Sequence, residues 1–244
     1  MPMSPVTTLS PPFDDVPDKF VDVTVADVEF LATLNEGNDS VLFKVAVQGN
    51  TCVMKVFHGR KTYFNKPGGE EDLFVREWTA YRLLKRHGLC KRGVVPDFYG
   101  TIRGINPREW PNLHMFHKDT LPADAVLIEY IPNMHMIDLS NYTEERAARL
   151  SKILLEINSI GILHCDIYPR NMMVVEGEAG TGQERVLWVD FDCAQVIPPE
   201  FSPEHAHYLF DLEKRLMECF AQGMAKDHME GKLNAVKDFY YSYS

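Results

Sequence analysis

The stretch His164-Cys165-Asp166-Ile167-Tyr168-Pro169-Arg170-Asn171 lies between a long helical pattern and a short apolar strand, and Asp190-Phe191-Asp192 closes the apolar strand that follows. Carboxylates and an amide set at the ends of apolar elements belong at a cleft, because unpaired burial costs too much. Asp166 and Asn171, five residues apart in one loop, have the chemistry to hold an acceptor hydroxyl and a metal ion, and Asp190, at the end of a strand, has the chemistry to hold the other side of that metal.

The preceding chain supplies a sheet. Val28, Phe30, Ala32 and Leu34 alternate at period two, and Val41, Phe43, Val45 and Val47 resume the alternation after the turn residues Asn35-Glu36-Gly37-Asn38-Asp39. Together these predict a hairpin with a half-buried first strand. The run from Cys52 to Phe57 predicts a third strand with Val53, Lys55 and Phe57 on one face. Lys55 is then either an exposed lysine on an edge strand or a charge that needs a partner. Phe74, Trp78, Tyr81 and Leu84 recur at helical spacing over about 71–87, opened by Glu70, Glu71 and Asp72 and stopped by Gly88. Glu77 falls inside that stripe, where a carboxylate needs a cation, and Lys55 is the natural candidate.

Residues 94–102 predict a strand, and 104–122 a loop rich in proline and glycine. Its His114 and His117 have no further ligand set nearby, so a metal there is a poor reading. The loop after the third strand holds Lys66-Pro67-Gly68-Gly69, which lacks the Gly-Lys-Ser/Thr ending of a phosphate cradle. Ala125 to Ile131 predicts a buried strand entering a linker at Pro132. Thr143 is an N-cap for a core helix over 143–159 carrying Ala147, Leu150, Leu154 and Ile157. Short strands follow at 172–175 and 186–189, separated by a glycine loop. A last long helix begins at Ser202-Pro203-Glu204 with Leu209, Leu212, Leu216 and Phe220 as its buried stripe, and the tail carries one more short helix.

Composition bounds the function. A chain of 244 residues can bury a large core. Its 35 acidic against 25 basic residues leave a formal charge of -10, which argues against nucleic acid as a partner. Five scattered cysteines without a CxxC pair suit a reducing compartment. The Pro-, Ser- and Thr-rich start lacks the parts of a signal peptide, and no window approaches the roughly 18 apolar residues of a membrane span. The expected location is cytoplasmic or nuclear, with no membrane partner.

In their order these parts resemble the protein-kinase-like superfamily, short fungal kinase-like proteins in particular, over about residues 28–220. Val53-Met54-Lys55 resembles the lysine strand, Glu77 the helix glutamate paired with it, and Glu129-Tyr130-Ile131 the hinge. His164-x-Asp166-x-x-x-x-Asn171 is similar to the catalytic loop, and Asp190-Phe191-Asp192 stands where Asp-Phe-Gly is usual. The resemblance implies an α+β, two-lobed fold: a flexible segment 1–19, a small antiparallel-sheet N-lobe over 20–131, and a shortened, mainly helical C-lobe over 132–244. It further implies ATP and Mg²⁺ as cofactors. Gly37, Val53, Lys55, Glu129 and Ile131 would line the nucleotide site, with Ile128 limiting its depth. Asn171 and Asp190 would hold the metal, Asp166 would take the acceptor's proton, and His164 would pack the loop against Phe191.

Three departures from the family pattern are visible. Asn35-Glu36-Gly37-Asn38-Asp39-Ser40 keeps only the central glycine of GxGxxG, which predicts weaker nucleotide binding. Asp192 replaces a glycine, which predicts a stiffer segment and is a feature shared with choline- and aminoglycoside-type small-molecule kinases. Tyr168 replaces the lysine used beside the γ-phosphate, and Pro198-Pro199-Glu200 follows Asp192 so closely that a peptide platform is reduced or absent. The expectation is an ATP-dependent phosphotransferase whose acceptor is a protein Ser/Thr or a small-molecule hydroxyl; the alternative is a nucleotide-binding or inactive pseudokinase acting as a protein-interaction module.

Overall fold

The computed structural model describes residues 18–20, 22–59, 72–177, 184–198 and 201–241. The N-terminal lead-in up to Pro17, the Lys66-Pro67-Gly68-Gly69 stretch, Glu70 and Glu71, the glycines of 178–183, and Pro199-Glu200 lie outside them.

Five strands form one antiparallel sheet in the order β1-β2-β3-β5-β4: β1 Val28–Glu36, β2 Ser40–Val47, β3 Asn50–Phe57, β4 Phe98–Ile105 and β5 Ala123–Glu129. The expected hairpin of β1 and β2 forms, with Val28 opposite Val47 and Glu36 opposite Val41. Its first strand is not half-buried, however. The register shifts after Phe30 and again after Thr33, and the residues at those irregularities, Leu31 and Leu34, are both 44% exposed. An edge strand bent in this way cannot keep one face against a core.

β3 lies inside the sheet, with Lys55 opposite Leu42 on one side and Val126 on the other. The edge-strand reading of Lys55 is thereby removed: it is only 4% exposed.

The sheet is covered on both faces. Val41, Phe43, Val45, Val47, Met54, Val56 and Leu127 pack in one cluster with Phe20, Trp110, Leu113 and Phe116. The last three come from the segment expected as loop, which forms short 3-10 helices at Pro107–Glu109 and Pro111–Phe116. Their spacing of three puts Trp110, Leu113 and Phe116 on one side of a 3-10 turn, and together they strap the sheet. His58, 2.8 Å from Asp119 and stacked near Phe116, fastens the strap to the end of β3.

On the other face lies helix α1, Leu73–Arg86. Asp72 caps it by accepting the N–H groups of Phe74 and Val75, and Lys85 and Arg86 occupy its last turn. Phe74, Tyr81 and Leu84 join a second core with helix α2, Glu144–Ser159, which Thr143 caps as expected. Strands β6 Met134–Met136, β8 Met172–Val175 and β9 Arg185–Trp188 form a small antiparallel sheet, and β7 Ile162–Leu163 pairs with β10 Gln195–Val196. Trp188 donates its indole N–H to the Leu150 carbonyl, tying β9 to α2.

Helix α3, Pro203–Glu230, and the short α4, Lys237–Tyr241, complete the chain. The buried face of α3 is Glu213, Met217, Phe220, Met224 and Asp227. Of the expected stripe only Phe220 is buried; Leu212 and Leu216 are 45% and 42% exposed. The i, i+4, i+7 pattern that packs inward contains two carboxylates, so hydrophobicity alone does not reveal it. No described helix is long and apolar enough to cross a membrane.

Candidate functional site

The centre of the candidate site is the buried Lys55 ammonium. It lies 2.9 Å from Glu77 of α1, 2.6 Å from Asp190 and 2.9 Å from Asp192. Burial disfavours this ammonium, but the three carboxylates outweigh it and hold the lysine well above its ordinary pKa. Burial pushes the Glu77 carboxyl up to about 7 against the pull of Lys55. Burial likewise acts to raise Asp190, and there Lys55 wins and holds the carboxyl below its usual range. The other Glu77 oxygen receives the Phe191 backbone N–H at 3.4 Å, so α1 grips both β3 and the segment that carries the aspartates.

Asp166 is fixed from two sides. Asn171 donates its amide to the Asp166 carboxylate at 2.6 Å and to its backbone carbonyl at 3.0 Å. Arg170 places Nη2 2.7 Å from one carboxylate oxygen and Nε 3.3 Å from the other. His164 is fully buried, 3.1 Å from the Val189 carbonyl, with its ring packed on Phe191 and Trp188. Burial lowers its pKa, so it stays a neutral packing residue, in keeping with its expected place against Phe191.

Beneath the loop, Glu213 of α3 accepts the Cys165 backbone N–H at 2.6 Å and the Asn158 amide at 2.8 Å. Cys165 and Asp190 both have left-handed backbones, φ 60° and 64°, a conformation that side chains other than glycine adopt at a cost.

The expected nucleotide-lining residues fall at the β1–β2 turn, on β3, and at and just beyond the end of β5. Gly37 donates its N–H to the Ser40 carbonyl at 2.9 Å and closes the β1–β2 turn. Val53 sits between Lys44 and Ile128 on the face that carries Lys55. Glu129 is more committed than a bare hinge: its carboxylate binds Arg185 at 2.7 Å and its own N–H goes to the Asp97 carbonyl at 2.8 Å. Ile131 is buried just beyond it.

Several residues at the opening were not picked out from the sequence. Leu42 faces the site opposite Lys55. Lys44 stacks on the Tyr130 ring at 4.1 Å, bridging β2 and the linker. Arg170, Glu213 and the Asp192 contact to Lys55 also belong here. The register of β2 against β3 was readable and points to Leu42 and Lys44; contacts between distant loops left no local signal. Below the loop, a groove of about 350 Å³ is lined by Leu163, Ile167, Tyr168, Leu212, Leu216 and Phe239.

Among the described residues no group of three or more His, Cys, Asp and Glu side chains forms a metal cage. Mg²⁺ does not require one, since it is commonly held by one or two side chains plus phosphate oxygens. Asp190 fits that part, because its side chain is 40% exposed. Asn171 fits as well: its amide nitrogen is directed at Asp166, which leaves the oxygen for a cation. One ammonium among three carboxylates is a surplus of negative charge that a divalent cation relieves. No family model matches this chain, and no curated protein matches it.

Proposed function

We propose that the protein is a phosphotransferase of two-lobed, kinase-like architecture that moves the γ-phosphoryl group of Mg·ATP to a hydroxyl. The observation that carries this reading is Lys55 held simultaneously by Glu77 and Asp190, with Asp166 and Asn171 joined in one loop beside them. Phosphoryl transfer is chiefly positioning and charge neutralisation, and these side chains supply both. In the step itself Asp166 takes the acceptor's hydroxyl proton and the acceptor oxygen bonds to phosphorus. The bond from phosphorus to the β,γ-bridging oxygen breaks, and its electron pair stays on ADP. Bound Mg²⁺ would neutralise phosphate charge, held by Asp190 and Asn171.

The apolar groove beside Tyr168 favours a small-molecule hydroxyl over a peptide as acceptor. A second reading has one specific observation behind it. Asp192 lies 2.9 Å from Lys55 and competes there with phosphate, as expected of an inactive module that holds nucleotide weakly and does not turn it over.

An acceptor screen with labelled ATP, comparing the wild type with Asp166→Ala, separates the two. Turnover by the wild type that the variant loses supports the phosphotransferase. Thermal stabilisation by Mg·ATP with no turnover on any acceptor pool supports the module. No stabilisation by any nucleotide, with Mg²⁺ or Mn²⁺, would sink both.

A further inference from the structure

We propose that the exposed face of helix α3 is a contact between two copies of this chain, packed antiparallel about an axis beside Leu212. The starting observation is where α3 is buried. Every buried side chain of Pro203–Glu230 lies at or after Glu213. The helix before that point nevertheless carries Tyr208, Leu209, Phe210 and Leu212. A helix in water is held mainly by packing an apolar face, so a stretch that buries nothing is expected to be polar all round. This stretch is not: Tyr208 is 64% exposed, and Leu212 and Leu216 are exposed with it.

Those three side chains recur at intervals of four and form one stripe along the helix. The stripe runs into the groove of about 350 Å³ whose walls include Leu212, Leu216, Ile167 and Phe239. Single exposed leucines need no explanation, but a stripe continuous with an apolar groove marks a contact surface.

Charge selects the occupant. At about 100° per residue, Asp211 and Arg215 project on the same flank of the stripe, and they are joined there at 2.5 Å. In an antiparallel pair of identical helices, two-fold symmetry sets each flank against the same flank of the other copy. Tyr208 of each copy then meets Leu216 of the other, Leu212 meets its own counterpart, and Asp211 of each copy comes within reach of Arg215 of the other. The face is complementary to itself. A parallel pairing would instead set Asp211 against Asp211. On the opposite flank Glu213 is turned inward and bound to Cys165 and Asn158, so it brings no like charge into the contact. The formal charge of -10 on each copy opposes approach from a distance, and one helix face belongs to the small, transient class of interface. The association is therefore weak and reversible.

The test is sedimentation equilibrium in a concentration series reaching about 1 mM, where even a millimolar contact is visible. It compares the wild type, Asp211→Arg, Arg215→Asp, the double variant Asp211→Arg/Arg215→Asp, and an equal mixture of the two single variants. All four substitutions fall on the surface, and circular dichroism checks that each chain is folded. The wild type is expected to show a monomer–dimer equilibrium that each single variant weakens by roughly tenfold or more, because two ion pairs become two like-charge contacts. The double variant should recover the wild-type behaviour, and the mixture should form a heterodimer although neither variant pairs with itself. A wild type that stays monomeric throughout the series overturns the proposal. A single variant that dimerises as tightly as the wild type does so too, since it places the contact elsewhere, and a mixture that shows no recovery overturns the antiparallel arrangement.

Discussion

Glu213 on α3 accepts the backbone N–H of Cys165 at 2.6 Å across 48 positions of sequence, and so fixes the loop from below one residue before Asp166. The carboxylate is only 5% exposed and also takes the Asn158 amide, which in turn donates to the Ile162 carbonyl. Helix, strand and loop are locked through one side chain. Glu213→Ala leaves the Cys165 N–H without its partner and is expected to destabilise the fold by about 1–3 kcal/mol in denaturant titration. Turnover should fall with it, while Glu213→Gln, which keeps one of the two acceptor oxygens, should retain part of both.

Removing Lys55 has the opposite electrostatic character. Lys55→Met leaves Glu77, Asp190 and Asp192 converging on an apolar stub. Breaking a buried ion cluster by deleting one partner costs roughly 3–5 kcal/mol. The expected result is a large fall in melting temperature and no stabilisation by Mg·ATP; a variant that melts like the wild type would show that the cluster is not what joins β3 to α1.

Asp192 and incoming phosphate compete for the same ammonium. Asp192→Asn removes one of the three charges around Lys55 while keeping the side chain's shape. Binding of ATP without Mg²⁺ should tighten several-fold, and the gain from adding Mg²⁺ should shrink. Unchanged binding in calorimetry would mean that Asp192 swings clear when nucleotide enters.

The raised Glu77 carboxyl makes a pH prediction with a definite sign. With a folded-state value of about 7 against the ordinary 4.5, the folded protein retains a proton that the unfolded chain has released. The stability this contributes is complete below pH 4.5 and is lost as pH rises through 7. Subtracting the Glu77→Gln stability profile from the wild-type profile should isolate a decline across that window, and a flat difference would count against it.

The parts of this molecule that were legible in the sequence are those whose physics is local. The β1–β2 hairpin announced itself through Asn35 to Asp39, α1 and α2 through their caps and stripes, and the site through residues with no business in an apolar context unless paired, Lys55 and Glu77 above all. What escaped was set by distant contacts. Bulges at Leu31 and Leu34 undo a clean alternation, and Trp110, Leu113 and Phe116 repeat at three, a period easily passed over as loop. On α3 the inward face includes Glu213 and Asp227 because Cys165 and the backbone N–H groups of 234–236 await them across space. The leucines that looked like core instead line an open groove.

The left-handed backbones at Cys165 and Asp190 put a limit on how the site can be re-engineered. Each residue is held against its own conformational preference so that an adjacent or attached carboxylate points into the cleft. Glycine at 165 would relax the chain by about 1 kcal/mol, a gain in robustness that leaves the chemistry's own side chains in place. At 190, by contrast, only asparagine keeps both the shape and a tolerance for that backbone. Any β-branched replacement there would confound lost chemistry with lost fold.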